Sequence, residues 1–328
     1  MKTPLLLLAA LVVVASQRAW AETLYVSHNT VQNSTISKFT LDGVNPAASV
    51  FATSTRSFGD IALDGAGNLF ATDSSEIYKF TPGGVRSHFG GFVGAAALTF
   101  DSMGNLWGAS QNFDAVFEFA PSSGFTPLPL FTVDYQTVRL HSPRGLAFDA
   151  AGNLYAANHR LPYPYPSPPD LNPYRDTILK LSPTGVDLGF FASDTASAFG
   201  GQAQLKGPWD LIFDGAGSLY ASCTDTDTIE WFAPNGTYLG TFASGLNDPA
   251  GMTFDNTGNL YVANSGDGTI RKFTPGGVGS VFASGLGRPV SIAIGPEVPE
   301  PSAWVLLTLG LSALLGRARL RVKVTAAP

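Results

Sequence analysis

The chain has 328 residues, a net charge of −6, and 36 Gly and 23 Pro against only 13% charged residues. This composition describes a turn-rich, β-rich globular protein with an ample core. The acidic balance and the lack of any basic stripe argue against a nucleic-acid partner. The single cysteine, Cys223, excludes an internal disulfide.

Taken from the start, Lys2, an apolar run from Leu5 to Ala15, and small residues at Ala19 and Ala21 have the physical parts of a secretory signal peptide, with cleavage expected between Ala21 and Glu22. The exported chain then opens on Glu22-Thr-Leu-Tyr-Val-Ser27, which alternates as a β-strand does. From there one unit recurs. Its turns are Asp64-Gly-Ala-Gly67, Asp101-Ser-Met-Gly104, Asp149-Ala-Ala-Gly152, Asp214-Gly-Ala-Gly217 and Asp255-Asn-Thr-Gly258, each followed by Asn or Ser, then Leu and an aromatic residue. Asp at the first position of a type I turn accepts from the following amides. Gly at the fourth enters the left-handed region that costs other residues about 1–2 kcal/mol. The spacing therefore predicts strand, tight turn, strand.

A third strand follows in Ile77-Tyr-Lys-Phe80, Ile178-Leu-Lys-Leu181, Ile229-Glu-Trp-Phe232 and Ile270-Arg-Lys-Phe273. A fourth follows in Val50–Thr53, Phe191–Ser193, Phe242–Ser244 and Phe282–Ser284. Four short antiparallel strands per unit is the pattern of a β-propeller blade. First strands fall near residues 61, 98, 146, 211, 252 and 292, and second strands near 25, 70, 107, 155, 220 and 261. The opening strand lacks a first strand and the last unit lacks a second. An all-β, six-bladed ring of four-stranded antiparallel blades is expected, spanning residues 22–296 and closed by pairing Ser291–Ile294 with Leu24–Ser27. Closure removes the exposed edges of an open array.

Blade 4 breaks the repeat between Asn158 and Thr177 with a Pro-rich insertion that carries His159, Tyr163, Tyr165 and Tyr174. Prolines stiffen it, and the tyrosines offer flat faces with a polar edge for stacking on sugar rings or packing on a protein. By propeller geometry it shares a face with Arg144, Trp209, Asp210 and Asp60, so a ligand-binding face is expected there.

Beyond the ring, Val298-Pro-Glu-Pro-Ser-Ala-Trp304 leads into an apolar segment ending at Leu315, then Arg317, Arg319, Arg321 and Lys323. The apolar run is shorter than the roughly 20 residues that cross a bilayer comfortably. Its basic flank favours membrane insertion with the C-terminus inside. Residues 297–328 resemble the PEP-CTERM sorting signal of Gram-negative bacteria through Pro299-Glu300-Pro301, the hydrophobic helix and the Arg-rich end. The resemblance implies recognition by an exosortase-type membrane peptidase and cleavage near Pro299–Pro301. Delivery from an inner-membrane anchor to the cell surface or an extracellular polysaccharide matrix would follow.

The repeat itself, best at Pro143–Asn158 and Pro249–Phe273, resembles the NHL repeat, which implies a six-bladed ring with binding on its surfaces or channel mouth, more often an interaction module than an enzyme. With the tyrosine insertion and the tail, an extracellular polysaccharide or a surface protein is the expected partner. One departure is that the usual Arg before the third strand is Thr or Glu, at Glu76, Thr177, Thr228 and Thr269. Six-bladed rings also include gluconolactonase-like lactonases, whose channel metal sits on Glu, Asn and Asp near the starts of inner strands. The corresponding positions here are Asp60, Ala97, Gly145, Asp210, Gly251 and Ser291. Two carboxylates are few for a hard cation, so no metal, cofactor or catalytic residue is expected. Asp60 and Asp210 are expected to bond backbone amides or water. The four histidines fall in different blades, with no nucleophile elbow or zinc-protease helix. Asp225, Asp227 and Asp267 read as turn formers, and Cys223 as a tolerated small residue. A metal-dependent lactone hydrolase is the alternative to a non-catalytic binding or scaffold module.

Overall fold

A computed structural model describes residues 22–30, 33–41, 46–73, 75–91, 95–119, 128–131, 139–159, 176–193 and 205–296. The expected signal peptide with Ala21, the tail with Pro299, Glu300 and Pro301, and the insertion tyrosines Tyr163, Tyr165 and Tyr174 lie outside them.

The described chain forms six four-stranded antiparallel sheets. Blade 1 contributes β1 (Glu22–Asn29), β2 (Ser34–Thr40) and β3 (Ser49–Ser54), and blade 2 β4 (Ile61–Leu63), β5 (Leu69–Thr72), β6 (Glu76–Phe80) and β7 (Arg86–Gly91). Blade 3 holds β8 (Ala95–Phe100), β9 (Leu106–Ser110), β10 (Ala115–Phe119) and β11 (Leu128–Phe131). Blade 4 holds β12 (Pro143–Phe148), β13 (Leu154–Asn158), β14 (Thr177–Leu181) and β15 (Asp187–Ser193). Blade 5 holds β16 (Pro208–Phe213), β17 (Leu219–Cys223), β18 (Thr228–Phe232) and β19 (Tyr238–Ala243). Blade 6 holds β20 (Pro249–Phe254), β21 (Leu260–Asn264), β22 (Thr269–Phe273) and β23 (Gly279–Ala283), and the chain returns as β24 (Arg288–Pro296). β24 pairs antiparallel with β1, with Leu24 opposite Ile294 and Ser27 opposite Ser291. This is the closure expected from the two ends of the repeat. The inner strands β24, β4, β8, β12, β16 and β20 touch their neighbours in an unbroken cycle, so the sheets radiate from a central channel.

The Asp–Gly turns form as their chemistry requires. At Asp149, the amides of Ala151 and Asn153 donate to Oδ1 at 2.9 and 2.8 Å, and Gly152 sits at φ 81°. The Oδ2 oxygen takes the Asn153 amide at 2.7 Å and the Tyr155 hydroxyl at 3.1 Å, while Lys180 Nζ lies 3.5 Å away and 5.0 Å over the Tyr155 ring. Lys79 and Lys272 repeat this arrangement over Phe70 and Tyr261. The turns at Asp64, Asp149 and Asp255 are thus tied through these lysines to the third strands of their own blades.

The core lies between blades. One cluster joins Trp107 and Val116 of blade 3 to Leu146, Leu154, Leu179 and Leu181 of blade 4. Another joins Leu24, Val26 and Ile292 of blade 1 to Tyr261, Ala263 and Ile270 of blade 6. Burying each such side chain is worth about 1.5–3 kcal/mol, so the closed ring gains stability that a separate blade could not. A polar clasp reinforces these interfaces. Asp114, Asp176 and Asp227 have φ of 48°, 54° and 56° just ahead of the third strand. Their carboxylates accept the amides of Ser142, Gly207 and Asp248 in the following blade at 2.6, 3.0 and 2.7 Å. Asp227 thereby acts as more than a turn former, whereas Asp267 stays local, accepting from Thr269.

Candidate functional site at the channel mouth

The channel mouth holds a cavity of about 210 Å³ lined by Asp60, Gln111, Asn112, Arg144, Asp210 and Ser291, with Trp209, Ala96, Val290 and two glycines completing the wall. Its acidic residues come from the starts of inner strands. A glycine is required where these strands meet most closely: a Cβ on Gly145 would lie 2.7 Å from the Asp210 Cα, and one on Gly251 would lie 2.7 Å from the Ser291 Cα. Close approach of the strands is what brings the side chains of blades 2, 4 and 5 into one small space.

Both channel acids act as inter-blade staples. The Leu98 amide of blade 3 and the Ser291 hydroxyl of blade 1 donate to Asp60 Oδ2 and Oδ1, each at 2.5 Å. The Met252 amide of blade 6 donates to Asp210 Oδ2 at 2.7 Å, and the Leu211 amide donates to Oδ1 at 2.8 Å. Backbone partners are thus observed for both acids, as the sequence suggests. Burial pushes the Asp60 carboxyl up to about 6, against the pull of those hydrogen bonds. Burial, followed by the charge of Asp60, pushes Asp210 up to about 8. Each carboxylate opposes ionisation of the other, so the pair takes up protons in two steps.

Arg144 sits differently. Its guanidinium lies over the Trp209 ring at 3.8 Å from the centroid, and the Gln111 side-chain oxygen accepts from Nε at 2.6 Å and Nη2 at 3.3 Å in the amide orientation that satisfies both groups. Burial and the nearby charge of Arg288 lower it to about 10, with Asp248 opposing, so it stays cationic at neutral pH. Arg288 pairs instead with Asp248 at 3.1 Å. His159 meets the Trp209 ring edge-on at 5.7 Å and approaches Thr224 Oγ1 at 3.5 Å.

Asp60, Arg144, Trp209 and Asp210 therefore converge as the sequence suggests, and His159 adjoins them through Trp209. Glu22, next to the expected cleavage point, is the first residue of β1 and accepts from the Asn256 amide at 3.2 Å, far from this mouth along the strand. Sequence reasoning missed Gln111 and Asn112. Their signal was available, because they follow Ser110 in a second-to-third-strand turn, on the face where such turns border the channel. Cys223 is fully buried, and burial pushes its thiol well above the ordinary range.

Residues 246–273 match the family model of the NHL repeat. That stretch is the first three strands of blade 6, β20 to β22, with the loop leading into them. A search of the curated proteins finds no match. Among solved structures, a gluconolactonase from Xanthomonas campestris has 17% identity and a TM-score of 0.63, over 81% of this chain and 89% of that one. A catalytically inactive virginiamycin B lyase from Staphylococcus aureus, solved with quinupristin, has 12% identity and a TM-score of 0.54, over 85% of this chain and 94% of that one. A protein of unknown function from Bacteroides thetaiotaomicron has 12% identity and a TM-score of 0.58, over 83% and 84% of the two chains. At these identities the likeness is one of fold.

A hard divalent cation gathers about six to eight oxygen ligands, usually with several carboxylates among them. Among the described residues no three His, Cys, Asp or Glu side chains converge on a point that could hold a metal. The oxygens of Asp60 and Asp210 already serve the staples. This donor set does not fit a resident metal of the lactonase kind.

Proposed function

We propose that this chain is an exported NHL-like propeller that acts as a non-catalytic binding or scaffold module in the bacterial envelope or extracellular polysaccharide matrix, with its ligand face at the channel mouth. One observation carries the reading: the two channel acids are committed to holding blades together, while Arg144 lines the same cavity with no ion-pair partner among the described residues. A site with one open cation and no activated nucleophile suits recognition better than bond cleavage. The insertion carrying Tyr163, Tyr165 and Tyr174 leaves the described chain at His159, against Trp209, which favours its participation in that face.

Metal analysis and a lactone-hydrolysis assay on the purified protein are expected to find neither a stoichiometric divalent ion nor turnover, while a screen of glycans and surface proteins finds a ligand. A bound divalent ion with turnover, both lost in Asp60→Asn and Asp210→Asn, would install the metal-dependent lactonase instead. The tail belongs to the same proposal. Residues 297–328 would hold the chain in the inner membrane until an exosortase-type peptidase cuts near Pro299–Pro301. A surface-located product that still carries Arg317–Lys323 would refute that route.

A further inference from the structure

The cavity at the channel mouth is small, polar and unevenly charged. Its volume of about 210 Å³ lies below the roughly 300–1,000 Å³ of a drug-sized pocket. It suits one sugar-sized group. The wall offers hydrogen-bonding groups at Gln111 and Asn112 beside the apolar surface of Trp209, Ala96 and Val290, which matches a sugar ring with its hydroxyl edge and apolar face. Trp209 does not offer a free stacking face on the side of Arg144, because the guanidinium already covers it at 3.8 Å.

Of the five guanidinium N–H groups of Arg144, Gln111 receives two. The fork is oriented by Gln111 and Trp209, so little side-chain freedom remains to be lost on binding. We propose that Arg144 is the recognition residue of this site and that the ligand is a carboxylated sugar, a uronic-acid residue of an acidic polysaccharide, whose carboxylate pairs with the remaining N–H groups while its hydroxyls meet the polar wall. This rests on the binding-module reading and names its ligand class.

The charges around the fork give the site a pH signature. Asp60 and Asp210 face the cavity with Arg144, Arg288 and Asp248 lie beyond as a mutually paired couple, and His159 stands behind Trp209. Below the two titrations of the acids, near 8 and 6, the cavity loses its negative charges in turn and becomes net cationic. A carboxylate ligand therefore binds more tightly as pH falls from 9 toward 5, whereas a cationic ligand does the reverse.

The test is calorimetric titration of the purified protein with galacturonate oligomers, with neutral galactose oligomers of the same length, and with an acetylated dipeptide bearing a free carboxylate, repeated on Arg144→Met and Arg144→Lys. The uronate should bind, the neutral sugar should bind about ten- to a hundredfold more weakly, and Arg144→Met should lose a similar factor, as expected for charge-assisted hydrogen bonds. Arg144→Lys should recover only part of it, because a point charge cannot form the bidentate pair. Uronate binding that is unchanged in Arg144→Met, equal binding of the neutral sugar, or tighter binding at pH 9 than at pH 5 overturns the inference while leaving a binding module standing. Binding of the dipeptide alone overturns the sugar assignment. If the wild-type protein binds none of these and the wider screen also finds no ligand, the binding-module reading fails as well. A circular-dichroism melt of each variant separates loss of ligand from loss of fold.

Discussion

Replacement of Gly251 by Ala puts the ring closure under direct stress. The new Cβ would lie 2.7 Å from the Ser291 Cα, 3.0 Å from the Ile292 nitrogen and 3.1 Å from the Val290 carbonyl oxygen, all backbone atoms of β24. Carbon atoms settle at about 3.5–4.0 Å, so β20 and β24 must separate by about 1 Å. No side chain can rotate away to relieve the contact. Overpacking in a close-packed interior costs about 1–3 kcal/mol, and a clash with backbone alone belongs at the upper end. For a domain approaching this size, 1 kcal/mol moves the melting temperature by about 2–4 °C, so Gly251→Ala should melt about 6–12 °C below the native protein in a circular-dichroism scan. Gly65→Ala is the control, because its Cβ meets nothing within 4 Å, and it should change stability by less than about 0.5 kcal/mol. Equal melting of the two variants would mean that blade 6 does not pack against the returning strand, and the closed ring would have to be abandoned.

Stability should also depend on pH in two opposed ways. Asp60 and Asp210 titrate higher in the folded chain than when unfolded, so their contribution is complete below about pH 4 and declines as pH rises through their folded values near 6 and 8. At Asp101, Asp149 and Asp255, burial pushes up but the turn hydrogen bonds prevail and hold the carboxyls low, so their contribution is present at neutral pH and lost in acid. The melting temperature should peak between about pH 4 and 6, and a steady rise from pH 5 to 9 would contradict this balance. Asp149→Ala removes a carboxylate serving Ala151, Asn153, Tyr155 and Lys180 and should cost about 2–3 kcal/mol in urea unfolding. Asp214→Ala should cost less, because Ser218 stands where the amide of Asn153 stands and Trp231 where Lys180 stands; equal losses would deny the tie between turn and third strand. Cys223 should resist a thiol reagent in the native protein and react in denaturant, since it is fully enclosed. Stoichiometric labelling of the folded chain would show that blade 5 opens.

The ring could be read from the sequence because each of its determinants is local. An Asp and a Gly three positions apart set a turn whatever surrounds them, and period-two strands on either side set the blade, so the count of six and the shared sheet at the termini followed from spacing. The channel positions were legible for the same reason: Asp60 and Asp210 occupy one equivalent place at the starts of inner strands, Arg144 and Trp209 the place just before it, and symmetry brings such residues to one end of the channel.

What was not legible depends on distances between blades, which no single repeat encodes. Asp114, Asp176 and Asp227 look like ordinary turn residues until the next blade supplies the amides they accept. Gly145 and Gly251 look like missing ligands in the list of channel positions. In the folded ring they are the places where two inner strands approach too closely for any side chain. That closeness also decides the chemistry. It brings the Met252 and Leu98 amides onto Asp210 and Asp60, turning two residues that could have been metal ligands into staples. Arg144, by contrast, has an amide and an indole rather than a carboxylate against its guanidinium, which is why the proposed recognition role falls to it and not to the acids.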